Sequence, residues 1–365
     1  MLYSSLGKPI FFRIDPEKAH HLVIDGLHTA GLVPGMNGLL HAMYGVQESP
    51  ELAVDLFGLH FPHPIGLAAG LDKNAKSVDG FSSIGFGFAE VGTVTPKAQS
   101  GNDLPRLFRL PADEALINRM GFNNDGADKM AERLAKRKIQ RIPIAVNIGK
   151  NKITPNDQAH EDYRTCIRVL YPYGDFFVVN ISSPNTPDLR ALQHGDELRM
   201  LLEEVLEEIK QQASKSGKKA KPVLVKIAPD MTDEQLELTV ATIKDSGVAG
   251  IIASNTTVSR AGLTHANASE MGGLSGAPLR ERSTEVIRAV YRQTEGKLPI
   301  IGSGGIFTAE DAYDKIRAGA SLVEIYTSLI YKGPEVLREL TSGLKEKLRK
   351  DGYRSISEAV GADHR

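Results

Sequence analysis

Eight short apolar runs recur along the chain, at residues 64–70, 88–94, 142–149, 176–180, 222–228, 250–255, 299–302 and 322–326. Runs of this length and composition read as buried strands. Between them lie stretches whose apolar residues recur at helical spacing. Leu198, Leu201, Leu202, Val205 and Ile209 do so within 196–213, and Leu236, Leu238, Val240 and Ile243 within 232–246. Thr232, ahead of Asp233, Glu234 and Gln235, is a capping-box start for the second of these helices. Strands linked by helical crossovers pair in parallel. The closed form of that arrangement is the α/β (β/α)8 TIM barrel, typically about 250 residues long; an open doubly wound sheet is the competing solution. The barrel is expected over 46–350, with a helical extension at 1–45 and a polar tail at 351–365, read as a helix end and loose coil. Just before the first strand, 52–57 and 59–61 flank Gly58 as a hairpin.

Charge and cysteine content narrow the function classes. Over 365 residues the formal net charge is −1, which argues against nucleic-acid binding, since phosphate recognition needs a basic excess. The single cysteine, Cys166, excludes an internal disulfide, offers no metal cluster and fits a reducing compartment. No apolar run approaches the ~20 residues of a spanning helix, and residues 1–7 lack the blocks of a secretory signal. An intracellular, soluble-looking chain without a metal is expected. The basic run 215–221 reads as a solvated loop rather than a phosphate site.

In such a barrel, function sits at the C-terminal ends of the strands. Those ends are unusually polar here. They carry Ala69, Gly70 and Lys73 after the first strand, Thr93 after the second, Asn147 on the third and Lys226 on the fifth. Ser254, Asn255 and Thr256 end the sixth. The fourth ends in a crest from Asn180 to Pro187 that holds Ser183 and Asn185, with prolines stopping the strand. Asn147, Asn180 and Lys226 within apolar runs would each cost several kcal/mol without a partner, so a series around one rim points to a shared ligand. Gly302, Gly304 and Gly305 after the seventh strand, Tyr326 and Thr327 after the eighth, and Gly272, Gly273 and Gly276 upstream leave backbone bare at the usual barrel phosphate corner. A mononucleotide such as a flavin phosphate suits this, whereas the Gly-x-Gly-x-x-Gly dinucleotide spacing is absent. The long connection after the second strand carries Asn118, Arg119, Met120, Gly121, Phe122, Asn123 and Asn124. Asparagine offers both a donor and an acceptor, matching the amide and imide edges of a pyrimidine ring.

Together these motifs resemble the dihydroorotate dehydrogenases, in particular their quinone-linked, membrane-associated class. The matching elements include Ala-Ala-Gly-Leu-Asp-Lys (68–73), Pro-Arg-Leu-Phe-Arg (105–109), Asn-Arg-Met-Gly-Phe-Asn-Asn (118–124), Asn-Ile-Gly-Lys-Asn (147–151), Asn-Ile-Ser-Ser-Pro-Asn-Thr-Pro (180–187) and Gly-Gly-Leu-Ser-Gly (272–276). The resemblance implies a barrel that holds FMN and oxidises dihydroorotate to orotate in pyrimidine biosynthesis, with a quinone as acceptor. It implies Ser183 as the base that removes the C5 proton while a hydride leaves C6. The related cytosolic class uses cysteine there, and Cys166 lies in a predicted helix. Substrate would be held by Lys73, Asn118, Arg119, Met120, Gly121, Phe122, Asn180, Asn185, Asn255 and Thr256. FMN would be held by Ala69, Gly70, Lys73, Thr93, Asn147, Asn180, Lys226, Ser254, Gly276, Gly305, Tyr326 and Thr327. Ser254 stands where threonine is familiar in bacterial relatives, and Thr327 where serine is; both keep the hydroxyl.

The extension opens a helix at Asp15-Pro16, a capping residue followed by proline at the first helical position. Ala19, Leu22, Val23, Leu27 and Ala30 then recur at helical spacing. After Pro34-Gly35 a second piece carries Met36, Leu39, Leu40, Met43 and Tyr44. By itself this reads as a helical pair packed on the barrel. The resemblance implies instead a monotopic contact with the cytoplasmic side of the cell membrane, a quinone path lined by His20, Arg109 and Tyr326, and a monomer. Removing 1–45 is then expected to leave dihydroorotate chemistry in place. The rival readings are another FMN barrel acting on RNA pyrimidines, a non-redox phosphate barrel, and a membrane scaffold. The charge balance opposes the first, the asparagine set the second, and the buried polar residues the third.

Overall fold

The structure, a computed structural model, describes residues 3–139 and 141–365. Its strands among the described residues are β1 (Val54–Leu56), β2 (Leu59–Phe61), β3 (Ile65–Leu67), β4 (Phe88–Val94), β5 (Leu107–Leu110), β6 (Ala115–Asn118), β7 (Ile144–Ile148), β8 (Phe176–Asn180), β9 (Val223–Ile227), β10 (Gly250–Ala253), β11 (Gly273–Gly276), β12 (Ile300–Ser303) and β13 (Ala320–Ile325). Eight of them close a parallel barrel in the order β3-β4-β7-β8-β9-β10-β12-β13 and back to β3. Every apolar run expected to be a barrel strand is one. The register sets Asn180 beside Lys226, so these two polar residues of neighbouring strands meet at one level, and it sets Asn147 beside Gly92, one residue before Thr93. The capping box at Thr232 forms as expected.

β1 and β2 make the expected hairpin. Its turn residues Phe57 and Gly58 have φ of 58° and 73°, the two left-handed conformations of a tight hairpin turn. Phe61 packs edge-on against Phe88 with centroids 5.5 Å apart, and Phe57 lies 6.0 Å from Phe176. Phe88 and Phe176 begin their strands, so the hairpin seals the N-terminal end of the barrel.

The other end carries an insertion that periodicity did not resolve. The connection after β4 is not simply a long loop: it folds as β5 and β6, which join β11 in an antiparallel sheet of order β11-β6-β5. Leu110, Ala115, Ile117 and Leu274 pack on one side of it, and Leu116 meets Phe307 and Tyr331 on the other. The tail also departs from expectation. Ile356 and Ala359 are buried, the Ile356 amide donates to the Glu51 carbonyl (2.8 Å), and Asp363 pairs with Arg288 (3.0 Å) and Arg317 (2.9 Å). Polar composition concealed a docked segment, because two buried apolar side chains are enough to anchor it.

The extension forms α1 (Lys8–Phe11), which sequence periodicity did not anticipate, then α2 (Pro16–Leu32) and α3 (Met36–Tyr44). Asp15 caps α2 by accepting from the amides of Glu17 (3.1 Å) and Lys18 (3.0 Å). The apolar stripe expected on one face of α2 is split. Ala19 and Ile24 are buried and Leu27 packs on the barrel, whereas Leu22 and Val23 face outward with Leu32, Val33, Leu39 and Met43. Leu6 and Ile10 are also exposed. No helix among the described residues is long and apolar enough to cross a membrane.

Candidate active site

A cavity of about 1060 Å³, counting its open mouth, lies where the barrel strands end beneath the inserted sheet. Ala69, Gly70, Lys73, Thr93, Asn118, Met120, Gly121, Phe122, Asn180, Ser183, Asn185, Lys226, Ser254, Asn255, Thr256, Gly276, Gly305, Tyr326 and Thr327 all line it. Residues spread over 259 positions, from Ala69 to Thr327, thus converge because each ends a strand or its following loop.

The polar side chains at its floor are bonded to one another. Asn180 Nδ2 donates to Thr93 Oγ1 (2.8 Å) and Asn147 Oδ1 (3.2 Å), while its Oδ1 accepts from the Ser182 amide (3.2 Å) and hydroxyl (3.1 Å). Asn147 sits below Thr93 and donates to Glu90 Oε1 (2.7 Å); it supports the floor and does not line the cavity. Lys226, a lone charge within its apolar run, has two protein partners: its Nζ lies 2.6 Å from Glu90 Oε2 and 3.3 Å from Glu324 Oε2. Burial opposes its charge, but the carboxylates of Glu324 and Glu90 outweigh that and raise its pKa. Glu90 and Glu324 were missed by the sequence reading. Their signal was the one that exposed Lys226, a lone charge inside an apolar run.

Ser183 lies on the loop after β8, half-wrapped by asparagines. Its Oγ accepts from the Asn185 amide (3.2 Å), which leaves the hydroxyl proton free to face the cavity. Asn185 Nδ2 donates to the Asn118 carbonyl (3.0 Å), and Asn255 Nδ2 to Ser182 Oγ (2.9 Å). Lys73 Nζ donates to the Gly70 carbonyl (2.8 Å); burial lowers its pKa to about 8, with Glu17 raising it and Arg106 lowering it. Arg119 departs from expectation: its guanidinium pairs with Glu270 (2.6 Å) and lies over Phe108, away from the cavity. β6 ends at Asn118, and the chain runs on extended, with the Arg119 amide donating to the Arg106 carbonyl (2.9 Å), so the next side chain takes the opposite face.

The glycine corner is braced from behind. Lys315 is fully buried and donates to Ser283 Oγ, Thr284 Oγ1 (2.8 Å) and the Arg280 carbonyl (3.2 Å). Ser283 Oγ in turn donates to the Gly304 carbonyl and Arg280 Nε to that of Gly305, each at 3.2 Å. A Cβ on Gly305 would sit 2.4 Å from Arg280 Cα, so only glycine allows this packing.

Of the three residues expected on a quinone path, Tyr326 lines the cavity. Arg109 stacks on Phe12 and donates to the Ile14 carbonyl (2.8 Å). His20 has its Nδ1 buried without a partner, and burial, then Lys73 and His21, hold its pKa well below the ordinary histidine value.

The profile of the dihydroorotate dehydrogenase family matches residues 51–348. The chain belongs to the dihydroorotate dehydrogenase family. A Deinococcus radiodurans protein named dihydroorotate dehydrogenase (quinone) is 52% identical over 363 residues, covering 97% of this chain and 98% of its own. A Gloeobacter violaceus protein of the same name is 49% identical over 356 residues, covering 98% of each. Among solved structures, the Eimeria tenella dihydroorotate dehydrogenase in complex with ferulenol superposes with a TM-score of 0.89 at 41% identity, covering 96% of each chain. As a member of this family the chain is an oxidoreductase.

Proposed function

We propose that this chain oxidises (S)-dihydroorotate to orotate in pyrimidine biosynthesis, using FMN and delivering the electrons to a membrane quinone. The observation that carries this is Ser183, its hydroxyl proton free, on the wall of a cavity ringed by Asn118, Asn180, Asn185 and Asn255. Asparagine edges match the amide and imide edges of the substrate ring, and Lys73 supplies a cation for its carboxylate.

The residues present fit a flavin mononucleotide. Ser328 Oγ and Glu324 Oε1 are buried without a protein partner, and both residues line the cavity. Buried polar atoms of that kind call for a ligand. Gly276, Gly305 and Thr327, with Ser328, would hold the phosphate. Ala69, Gly70, Thr93, Asn180, Lys226, Ser254 and Tyr326 would hold the ring system and ribityl chain, with Asn147 fixing the floor. When bound, the flavin accepts the hydride from C6. Ser183 Oγ, after giving up its own hydroxyl proton to solvent, takes the C5 proton; Lys73 and the asparagines orient the ring, and the inserted sheet excludes water. Preorganised cations and dipoles act strongly in such a dry site.

The exposed apolar side chains of α1, α2 and α3 support a peripheral membrane contact, on the cytoplasmic side of the cell membrane. Each is on a helix too short to span. His20, Arg109 and Tyr326 mark the route by which quinone reaches the flavin between this extension and the barrel. The test is an anaerobic spectrum: purified protein should be yellow, bleach with dihydroorotate, and recover with a long-chain quinone. Colourless protein, or a spectrum indifferent to dihydroorotate, would sink the proposal.

A further inference from the structure

We infer that Glu324 is a proton-bearing group in the cavity floor that would exchange its proton in step with the charge of a flavin held in this cavity. This rests on the flavin reading above and deepens it. The floor holds one ammonium and two carboxyl groups. Glu90 is fully engaged: Oε2 accepts from Lys226 Nζ (2.6 Å) and the Ala69 amide (2.8 Å), and Oε1 from Asn147 Nδ2 (2.7 Å). Glu324 accepts from one donor, Lys226, at the longer distance (3.3 Å); its other side-chain contact is with the Glu90 carboxyl, and its Oε1 is buried without a partner.

One buried cation does not neutralise two buried carboxylates, and an unpaired buried charge is avoided by taking up a proton. The proton belongs on the carboxyl with fewer donors, which is Glu324. The charged groups facing it are Glu90 from β4 and Lys226 from β9. Burial first and Glu90 second push its pKa well above the carboxylate range, against the pull of Lys226.

The consequence is redox-linked. Reducing the flavin to its anion consumes two electrons and one proton. Once Glu324 has ionised at alkaline pH, that new negative charge makes it bind one further proton from solvent. Each proton per two electrons contributes a tenfold change in the equilibrium, about 30 mV, per pH unit.

The experiment is a spectroelectrochemical titration of the flavin-loaded full chain across pH, for the wild type and for Glu324→Gln. Glutamine keeps the shape and a donor but cannot titrate. The two lines should coincide at low pH. Over an alkaline interval the wild type should fall more steeply by one proton, and end below the variant. Any bend from Lys73 is common to both. Parallel lines at every pH would overturn the inference. Should the variant fail to keep its flavin, the wild type decides. A protonated-carboxyl infrared band that disappears at high pH, together with the steeper interval, supports the inference. Absence of both overturns it. Failure of the flavin reading itself is distinguishable, because the purified protein would then be colourless.

Discussion

Glu17, in the first turn of α2, holds Arg106 through both carboxylate oxygens: Nε lies 3.1 Å from each, and Nη2 2.7 Å from Oε1. Both side chains are about one-tenth exposed, at 10% and 11%. Arg106 also donates to the carbonyls of Ser100 (2.6 Å) and Asn102 (2.7 Å). Asn102 Nδ2 then reaches the carbonyls of Arg119 and Asn185, each at 3.1 Å. The extension is therefore tied to the loop that carries Ser183. This revises the expectation that residues 1–45 can be removed without touching the dihydroorotate side. Deleting them would strand Arg106, and losing one partner of a buried pair costs about 3–5 kcal/mol.

The first prediction follows from that pair. Burial lowers the Lys73 pKa to about 8, while Glu17 pulls it up and Arg106 pushes it down. Affinity for the orotate carboxylate should hold while Lys73 is protonated and fall as pH rises through about 8. Glu17→Gln removes the raising charge and leaves the lowering one, so the fall should begin at lower pH. Orotate titrations followed by flavin absorbance at several pH values test this. Superimposable profiles would show that Glu17 does not reach the site.

Ser183→Ala should keep flavin bound and slow its reduction by roughly 10²–10⁴, the range for a lost general base. In the unmodified protein the reduction rate should rise with pH, because the acting serine must be deprotonated. Stopped-flow mixing with dihydroorotate measures both. A variant as fast as the wild type would remove Ser183 from the mechanism.

Lys226→Ala should weaken flavin retention, slow reduction and lower the melting temperature. The variant leaves Glu90 facing Glu324 with no cation between them, a loss of about 3–5 kcal/mol. Thermal unfolding and released-flavin fluorescence report the two effects. Unchanged melting with full flavin content would mean the carboxyl pair does not depend on this lysine.

Leu22 and Leu39 are 55% and 52% exposed, so replacing them with serine should leave folding untouched. Each well-buried apolar side chain contributes about 1.5–3 kcal/mol, so the double variant should bind vesicles at least about tenfold more weakly. Quinone reoxidation in membranes should slow while flavin reduction stays at its normal rate. This pair of substitutions separates the half-reactions more cleanly than truncation, because it spares Glu17. Vesicle sedimentation at wild-type level would refute the membrane contact.

Sequence alone determined a parallel sheet of eight strands with helical crossovers, because alternating apolar runs and amphipathic helices leave few ways to bury both; closure into a barrel, rather than an open doubly wound sheet, is settled by the pairing of β13 with β3. The sequence also placed Ser183, the asparagines and the glycine corner at strand ends, where the fold requires a site. Local patterning could not decide partners across the barrel. Lys226 looked unpaired until register brought Glu90 and Glu324 to its level, and Arg119 looked like a cavity residue until the alternation of the extended chain beyond β6 aimed it at Glu270. The stripe on α2 likewise could not say which of its apolar residues would face the barrel: Leu27 packs inward while Leu22 looks out. Hydrophobic periodicity is a property of neighbours along the chain. Ion pairing, burial and proton sharing belong to neighbours in space, and only the closed barrel brings those together.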